Sequence, residues 1–211
     1  IKKLWAKELK MYLSVPNSYE EIYAFRSRIE EELCQESADM GNDLEFSYRD
    51  MIERFHKLFK TGKCLEEFQD IAYDLELTIE KRFQEKCQGI DETLAFLKSQ
   101  NKRIFCVSDF YMPKDFLHDL LCFHRLDQYF EDIFVSTDYK KTKRTGNLYD
   151  IVLKEISADS NDCLMVGDNY ESDIQRAREK GISGYYLDKE VEKKEKFQLD
   201  FYRNLQEKLN D

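Results

Sequence analysis

The sequence predicts an α/β protein: a Rossmann-like doubly wound parallel sheet preceded by an all-helical segment. Two observations carry that reading. Residues 1–88 hold only Gly41, Gly62 and Pro16 as chain-breaking residues, and their apolar side chains recur at intervals of three and four. After Gly89 the chain changes to short β-rich apolar runs alternating with helical stretches, the pattern of strand–helix–strand units in a parallel sheet.

In the first part, Leu4, Leu9 and Tyr12 predict a helix over residues 2–13. Ile22, Phe25, Ile29 and Leu33 predict one over 18–39, and Met51, Ile52, Phe55, Leu58 and Phe59 one over 47–60. Phe68, Ile71, Leu75 and Ile79 predict a fourth over 64–86. Ser47, with Asp50 three residues on, suits the cap of the third helix. Beyond Gly89, a helix over 90–100 leads to the run Arg103–Ser108, too short for a buried helix. A helix follows from Pro113, where proline suits a first turn. Strands at 133–135, 163–166 and 185–187 are separated by helices over 146–157 and 171–180. Residues 189–211, Lys/Glu-rich with Phe197, Phe201 and Leu205 at spacing four, predict a C-terminal helix laid over the core. The organisation expected is a helical domain (1–88), an α/β core (89–188) and this last helix (189–211).

The chain has 211 residues, enough for one domain or a core with a modest insert, and 42% of them are hydrophobic, so it buries a real core. Its net charge of −10 argues against a nucleic-acid-binding face. No apolar run of about 18 residues exists to span a membrane, and the N-terminus shows no signal-peptide pattern. The six cysteines form no C-x-x-C pair, which argues against a zinc or redox motif. Cys106 and Cys163 fall in strand-like runs, where a thiol packs as a small hydrophobe. This usage fits a reducing cytosol, so a cytoplasmic location is expected. The chain does not begin with Met, so residues are expected to precede Ile1.

Ligands of open parallel sheets sit at the carboxyl ends of strands, and three polar clusters fall at such ends. Ser108-Asp109 follows Val107. Lys143-Arg144-Thr145-Gly146 opens the helix after the 133–135 strand. Gly167-Asp168-Asn169-Tyr170-Glu171-Ser172-Asp173 follows Val166. Singly, each has an ordinary explanation: Ser108 as a turn residue, Lys143 as part of a solvated patch with Lys140, Lys141 and Arg144, Asp168 as a helix cap. Their order is more telling. A hydroxyl, a lysine and a G-D-x-x-x-x-D carboxylate pair after successive strands suit a phosphoryl group together with Mg²⁺.

With these residues in place, the stretch 102–187 resembles the core of the haloacid dehalogenase (HAD) superfamily. Val107-Ser108-Asp109 is similar to its second motif, Lys143 to its third, and Gly167–Asp173 to the GDxxxxD form of its fourth. The longer strings Ser108–Pro113, Lys143-x-Thr145-Gly146-x-Leu148-Tyr149 and Gly167-Asp168-Asn169-x-x-Ser172-Asp173 resemble a subgroup associated with, or fused to, bacterial cell-surface polysaccharide glycosyltransferases. In the helical part the resemblance rests on Arg28-x-x-Glu31 and on the placement of the helices. It implies that residues 1–88 are a cap domain inserted between the first and second motifs. The family's D-x-D motif, whose first Asp is the nucleophile, is absent from the sequence given, and its strand is expected upstream of residue 1.

The resemblance implies a Mg²⁺-dependent phosphohydrolase that works through an aspartyl-phosphate on a small phosphorylated metabolite, such as a sugar phosphate. Ser108, Lys143 and Asp173 would be catalytic. Ser108, Asp109 and Lys143 would bind substrate, and Asp168 and Asp173 the metal, with Asp173 orienting either Lys143 or a metal-bound water. Residues 1–211 alone are expected to be inactive. The alternative is a non-catalytic module that binds a partner or scaffolds a larger polysaccharide-synthesis protein; retention of Ser108, Lys143, Asp168 and Asp173 argues against it.

Overall fold

The computed structural model describes residues 1–13, 16–59 and 61–188. The helix expected over 189–211 lies outside the described residues. The chain divides into two compact units, Ile1–Thr142 and Lys143–Asp211.

The first unit opens with four helices: α1 (Lys2–Leu13), α2 (Tyr19–Asp39), α3 (Tyr48–Leu58) and α4 (Leu65–Phe83). Local chemistry fixes where two of them start. Ser18 and Glu21 form a reciprocal capping box at α2, each side chain bonding the other residue's backbone N–H. The Ser47 hydroxyl accepts the Asp50 N–H at α3. The apolar stripes of the four helices meet in one core that includes Trp5, Leu9, Ile22, Ile29, Ile52, Phe55 and Phe68. Aromatic rings set much of its packing: Phe55 meets Trp5 edge-on at 5.8 Å and stacks on Phe68 at 5.7 Å.

A charged group lies inside this bundle. Arg26 is fully buried. Its Nη1 donates to both Glu76 oxygens, at 3.0 and 2.9 Å, and its Nε donates to Glu30 at 2.8 Å. The guanidinium also lies 4.4 Å from the Trp5 ring centre. Burial works against its charge, but Glu76 and Glu30 outweigh that effect and hold its pKa above the ordinary arginine value. Burial pushes the Glu76 carboxyl up, with Arg26 opposing. Arg28, by contrast, is exposed and stands 3.8 Å from Glu32. Glu31 is exposed as well. The Arg28-x-x-Glu31 pair therefore faces outward, and it is Arg26 that shares the buried face of α2 with Ile22, Ile29 and Leu33.

After α5 (Ile90–Ser99) the chain forms β1 (Phe105–Ser108), α6 (Lys114–Phe123), β2 (Asp132–Val135) and the short α7 (Ser136–Tyr139). β1 and β2 are parallel, with Phe105 opposite Asp132 and Ser108 opposite Val135. The segment after β1 is rooted in the bundle: Met112, Phe116 and Leu120 belong to the same core as Trp5 and Phe55. The Tyr111 hydroxyl donates to Glu80 of α4 at 2.5 Å.

The second unit holds α8 (Asn147–Ile156), β3 (Leu164–Gly167), a π-helical turn (Tyr170–Gln175), α9 (Arg176–Glu179) and β4 (Ser183–Tyr186). β3 and β4 are parallel, from Leu164 opposite Ser183 to Gly167 opposite Tyr186. Among the described residues the strands thus pair as two two-stranded parallel sheets, β1 with β2 and β3 with β4. The expected helix over 171–180 is instead a π turn followed by one α turn. The last strand lies two residues earlier at its start than the apolar run suggests, because Ser183 and Gly184 join the ladder through their backbones.

Candidate active site

In the second unit the site grows from the carboxyl end of β3. That strand ends at Gly167, and the π turn begins three residues later. The Asn169 side chain accepts the Ser172 N–H at 3.0 Å and caps the turn. The Asp173 N–H bonds the Asn169 carbonyl at 2.8 Å. The Tyr149 hydroxyl of α8 donates to the Ser172 carbonyl at 2.9 Å and ties the turn to the neighbouring helix.

These bonds bring the Asp173 side chain back across the strand end. Its Oδ2 accepts the Asn169 N–H at 3.0 Å, and its Oδ1 accepts the Ser172 hydroxyl at 3.3 Å. A β-carbon on Gly167 would lie 2.3 Å from Asp173 Oδ2 and 2.6 Å from its Cβ. Glycine is needed there because the carboxylate occupies the space a side chain would take. The fourth-motif spacing therefore has a steric reason in this chain.

Lys143 completes the group. Its Nζ donates to Asp173 Oδ1 at 2.6 Å, with side-chain exposures of 12% and 3%. A charge-assisted bond of this length, largely shielded from water, holds the ammonium in one place. The Gly146 N–H donates to the Lys143 carbonyl at 2.9 Å, and Gly146 has φ +81°, so a tight turn separates the lysine from α8. Asp168 is exposed, one residue past the end of β3.

In the first unit, half-buried Ser108 is the last residue of β1, and half-buried Asp109 follows it. At the matching end of β2, Ser136 is fully buried, and its hydroxyl lacks a hydrogen-bond partner among the described residues. The Thr137 hydroxyl donates to the Met112 carbonyl at 3.2 Å. The structure thus joins Lys143 to Asp173 directly, sets Asp168 just past the strand that leads to Asp173, and places Ser108 and Asp109 at a strand end of the first unit. Sequence reasoning passed over Asn169 and Ser172 as working parts. Their position inside the G-D-x-x-x-x-D string was the available signal.

Among the described residues no group of three or more His, Cys, Asp or Glu side chains is placed to hold a metal ion. Mg²⁺ is commonly held by one or two carboxylates together with substrate phosphate and water. The donor chemistry of the two carboxylates of the G-D-x-x-x-x-D string, Asp168 and Asp173, fits that mode.

Comparison with known proteins bears on the fold. The chain superposes on the 2-haloacid dehalogenase of Pseudomonas syringae pv. tomato DC3000 with a TM-score of 0.59 at 20% identity, covering 88% of this chain and 79% of that one. It superposes on a HAD phosphatase from Thermococcus onnurineus with a TM-score of 0.54 at 18% identity, covering 89% and 76%. A third similar structure is L-2-haloacid dehalogenase from Xanthobacter autotrophicus with chloropropionic acid covalently bound, with a TM-score of 0.52 at 15% identity, covering 89% and 72%. The search of curated proteins found no match. Residues 6–185 match the model of the haloacid dehalogenase-like hydrolases, and this chain belongs to that family.

Proposed function

We propose that the protein is a Mg²⁺-dependent phosphohydrolase acting on a small phosphate ester, such as a sugar phosphate. The observation that carries this reading is the Lys143–Asp173 pair at the end of β3, with Asp168 following the same strand. A fixed ammonium, together with a strand-end carboxylate suited to a hard cation, would match the charge of a phosphoryl group. A dehalogenase substrate, a monocarboxylate, has less charge to neutralise.

Each residue has a role in this reading. Lys143 neutralises charge on the transferring phosphoryl oxygens, and Asp173 keeps its ammonium in place. The Ser108 hydroxyl and adjacent backbone N–H groups bind phosphoryl oxygens, and Asp109 shares in substrate binding. Asp168 would hold Mg²⁺, which when bound offsets the repulsion between an anionic nucleophile and an anionic substrate. The reading requires Ser108 to face the same phosphate as Lys143. It also requires a nucleophilic aspartate, which would form the aspartyl-phosphate, from outside residues 1–211. An apolar strand ending in D-x-D, upstream of residue 1, would supply it. The helical bundle would act as the cap that selects the leaving group, in a cytoplasmic protein associated or fused with a glycosyltransferase.

The test uses the natural full-length protein with p-nitrophenyl phosphate. Mg²⁺-dependent release of nitrophenol is expected. Asp168→Asn should abolish it, because an amide is a poor ligand for a hard cation. Lys143→Ala should lower kcat by roughly 10²–10³, the usual loss for one electrostatic stabiliser. Residues 1–211 alone should show no turnover. Halide release from 2-chloropropionate without phosphatase activity, or full activity in Asp168→Asn, would overturn the reading.

A further inference from the structure

Within the first unit, residues 109–113 join β1 to α6 and follow directly on Ser108. Ser108 itself is held in the ladder opposite Val135. The far end of the loop is tied down as well. Met112 is fully buried in the core it shares with Trp5, and its carbonyl accepts the Thr137 hydroxyl at 3.2 Å. The Lys114 N–H donates to Asp138 Oδ2 at 3.0 Å. Between these ends stands half-buried Tyr111, and its anchor lies in the bundle. Its hydroxyl donates to Glu80 Oε1 at 2.5 Å. Glu80 is buried on α4, and its Oε2 accepts from Gln84 Nε2 at 2.9 Å. The Tyr111 ring centre lies 5.3 Å from Lys2 Nζ, 5.7 Å from the Arg26 guanidinium and 4.8 Å from the Phe110 ring.

A hydroxyl bonded to an ionised carboxylate makes a bond about twice as strong as one between neutral groups. Burial, with the neighbouring Glu76 and Glu80 carboxylates, pushes the ionisation of Tyr111 far above the ordinary tyrosine value, so its hydroxyl remains a donor. The ring packs against two cations and the hydroxyl is fixed at its tip, which sets both side-chain torsions and so the backbone they start from. Tyr111 lies three residues past Ser108, and at most about 11 Å of chain separates them. With Ser108 in the ladder and Tyr111 on the bundle, the stretch between them has two fixed ends.

We propose that Tyr111 is a positioning residue for Ser108: anchored on Glu80 of α4, it fixes the loop that starts from the substrate-binding serine. The proposal rests on the phosphohydrolase reading, in which the Ser108 hydroxyl binds phosphoryl oxygens. It gives the helical bundle a part in substrate binding as well as a covering role, because Glu80 belongs to α4. The requirement is for the hydroxyl and an acceptor, not for the ring or a charge. Tyr111→Phe keeps the ring between Lys2 and Arg26 and removes only the donor. Glu80→Gln keeps an acceptor oxygen for Tyr111, whereas Glu80→Ala removes it.

The experiment is a set of double-mutant cycles in the natural full-length protein, with p-nitrophenyl phosphate and Mg²⁺. Ser108→Ala should lower kcat/KM by about tenfold or more, as loss of a donor to the phosphoryl oxygens. Tyr111→Phe and Glu80→Ala should each lower it by about tenfold, the effect of moving a binding group by a fraction of an ångström. In a Ser108→Ala background each of these losses should shrink to about twofold or less. Tyr111→Phe and Glu80→Ala together should cost no more than either alone, because they break one bond. Glu80→Gln should keep most of the activity. A merely structural role would lower the melting temperature without this dependence on Ser108. If Glu80→Ala does not fold, Tyr111→Phe carries the cycle with Ser108. Equal losses with and without Ser108, or an active Tyr111→Phe beside an impaired Ser108→Ala, would overturn the role of Tyr111 and leave the phosphohydrolase reading standing. Full activity in Ser108→Ala would overturn the proposal in the same way, since nothing would then need positioning. A natural protein without Mg²⁺-dependent release of nitrophenol would refute the phosphohydrolase reading and this proposal with it.

Discussion

Arg26 and Arg28 lie two positions apart on α2 and have opposite energetic weight. Arg26 is wholly buried between Glu30 and Glu76, and Arg28 is 62% exposed. Arg26→Met, which roughly matches the volume, should leave the buried Glu76 carboxylate without its cation, while Glu30 keeps Lys2, and cost about 3–5 kcal/mol. Arg28→Ala should stay within about 0.5 kcal/mol. Urea unfolding of both variants measures the difference, and similar midpoints would show that the buried pair is not structural. The sequence did carry a trace of Arg26. A charged residue four positions after Ile22 falls on the apolar stripe of the helix, and Glu76 does the same one position after Leu75. Reading such a trace requires both halves of the pair, which are 50 residues apart. The periodicity of either helix alone does not supply the other.

At the scale of elements, β3 and the π turn work as one piece, and Gly167 is the joint. Gly167→Ala would push a methyl group into the Asp173 carboxylate. Overpacking of this kind costs about 1–3 kcal/mol. It should also displace Asp173 from Lys143, so kcat with p-nitrophenyl phosphate should fall by about 10²-fold in the natural protein. A thermal melt separates the two effects, since a loss of stability without a loss of rate would mean that the carboxylate had moved aside harmlessly. β1 and β3 were legible in the sequence because each apolar run is closed by a polar cluster. Ser108 ends β1, and Gly167-Asp168 ends β3. The four bundle helices were legible from spacing, and the caps at Ser18 and Ser47 mark where two of them begin. The π turn was not legible. It arises from the bonds of Asn169, Ser172 and Asp173 with one another, and a period count treats those residues as an ordinary helix start.

At the scale of the first unit, the bundle and the segment after β1 are not separable. Met112, Phe116 and Leu120 fill the same core as Trp5. Phe116→Ala should remove about 3–5 kcal/mol, a drop of roughly 10 °C in Tm for a chain of this size. Trp5 is the single tryptophan, and it is buried in this core, so its fluorescence reports on the core directly. The transition seen by Trp5 should fall together with that seen by circular dichroism. A Trp5 transition that stayed in place would mean the bundle holds without Phe116.

The shared core also imposes an order on synthesis. The four helices are complete in sequence by Phe83, but the aromatic and aliphatic side chains that close their core come at positions 112 to 120. At a ribosomal rate of about 5–20 residues per second, the gap amounts to roughly 2–7 seconds. During that interval the nascent helices have no Phe116 to cover Tyr73, whose ring it meets edge-on at 5.0 Å in the finished molecule. The emerging chain therefore presents a defined sticky surface for a defined time, and this is when a chaperone would bind it or two nascent chains would adhere.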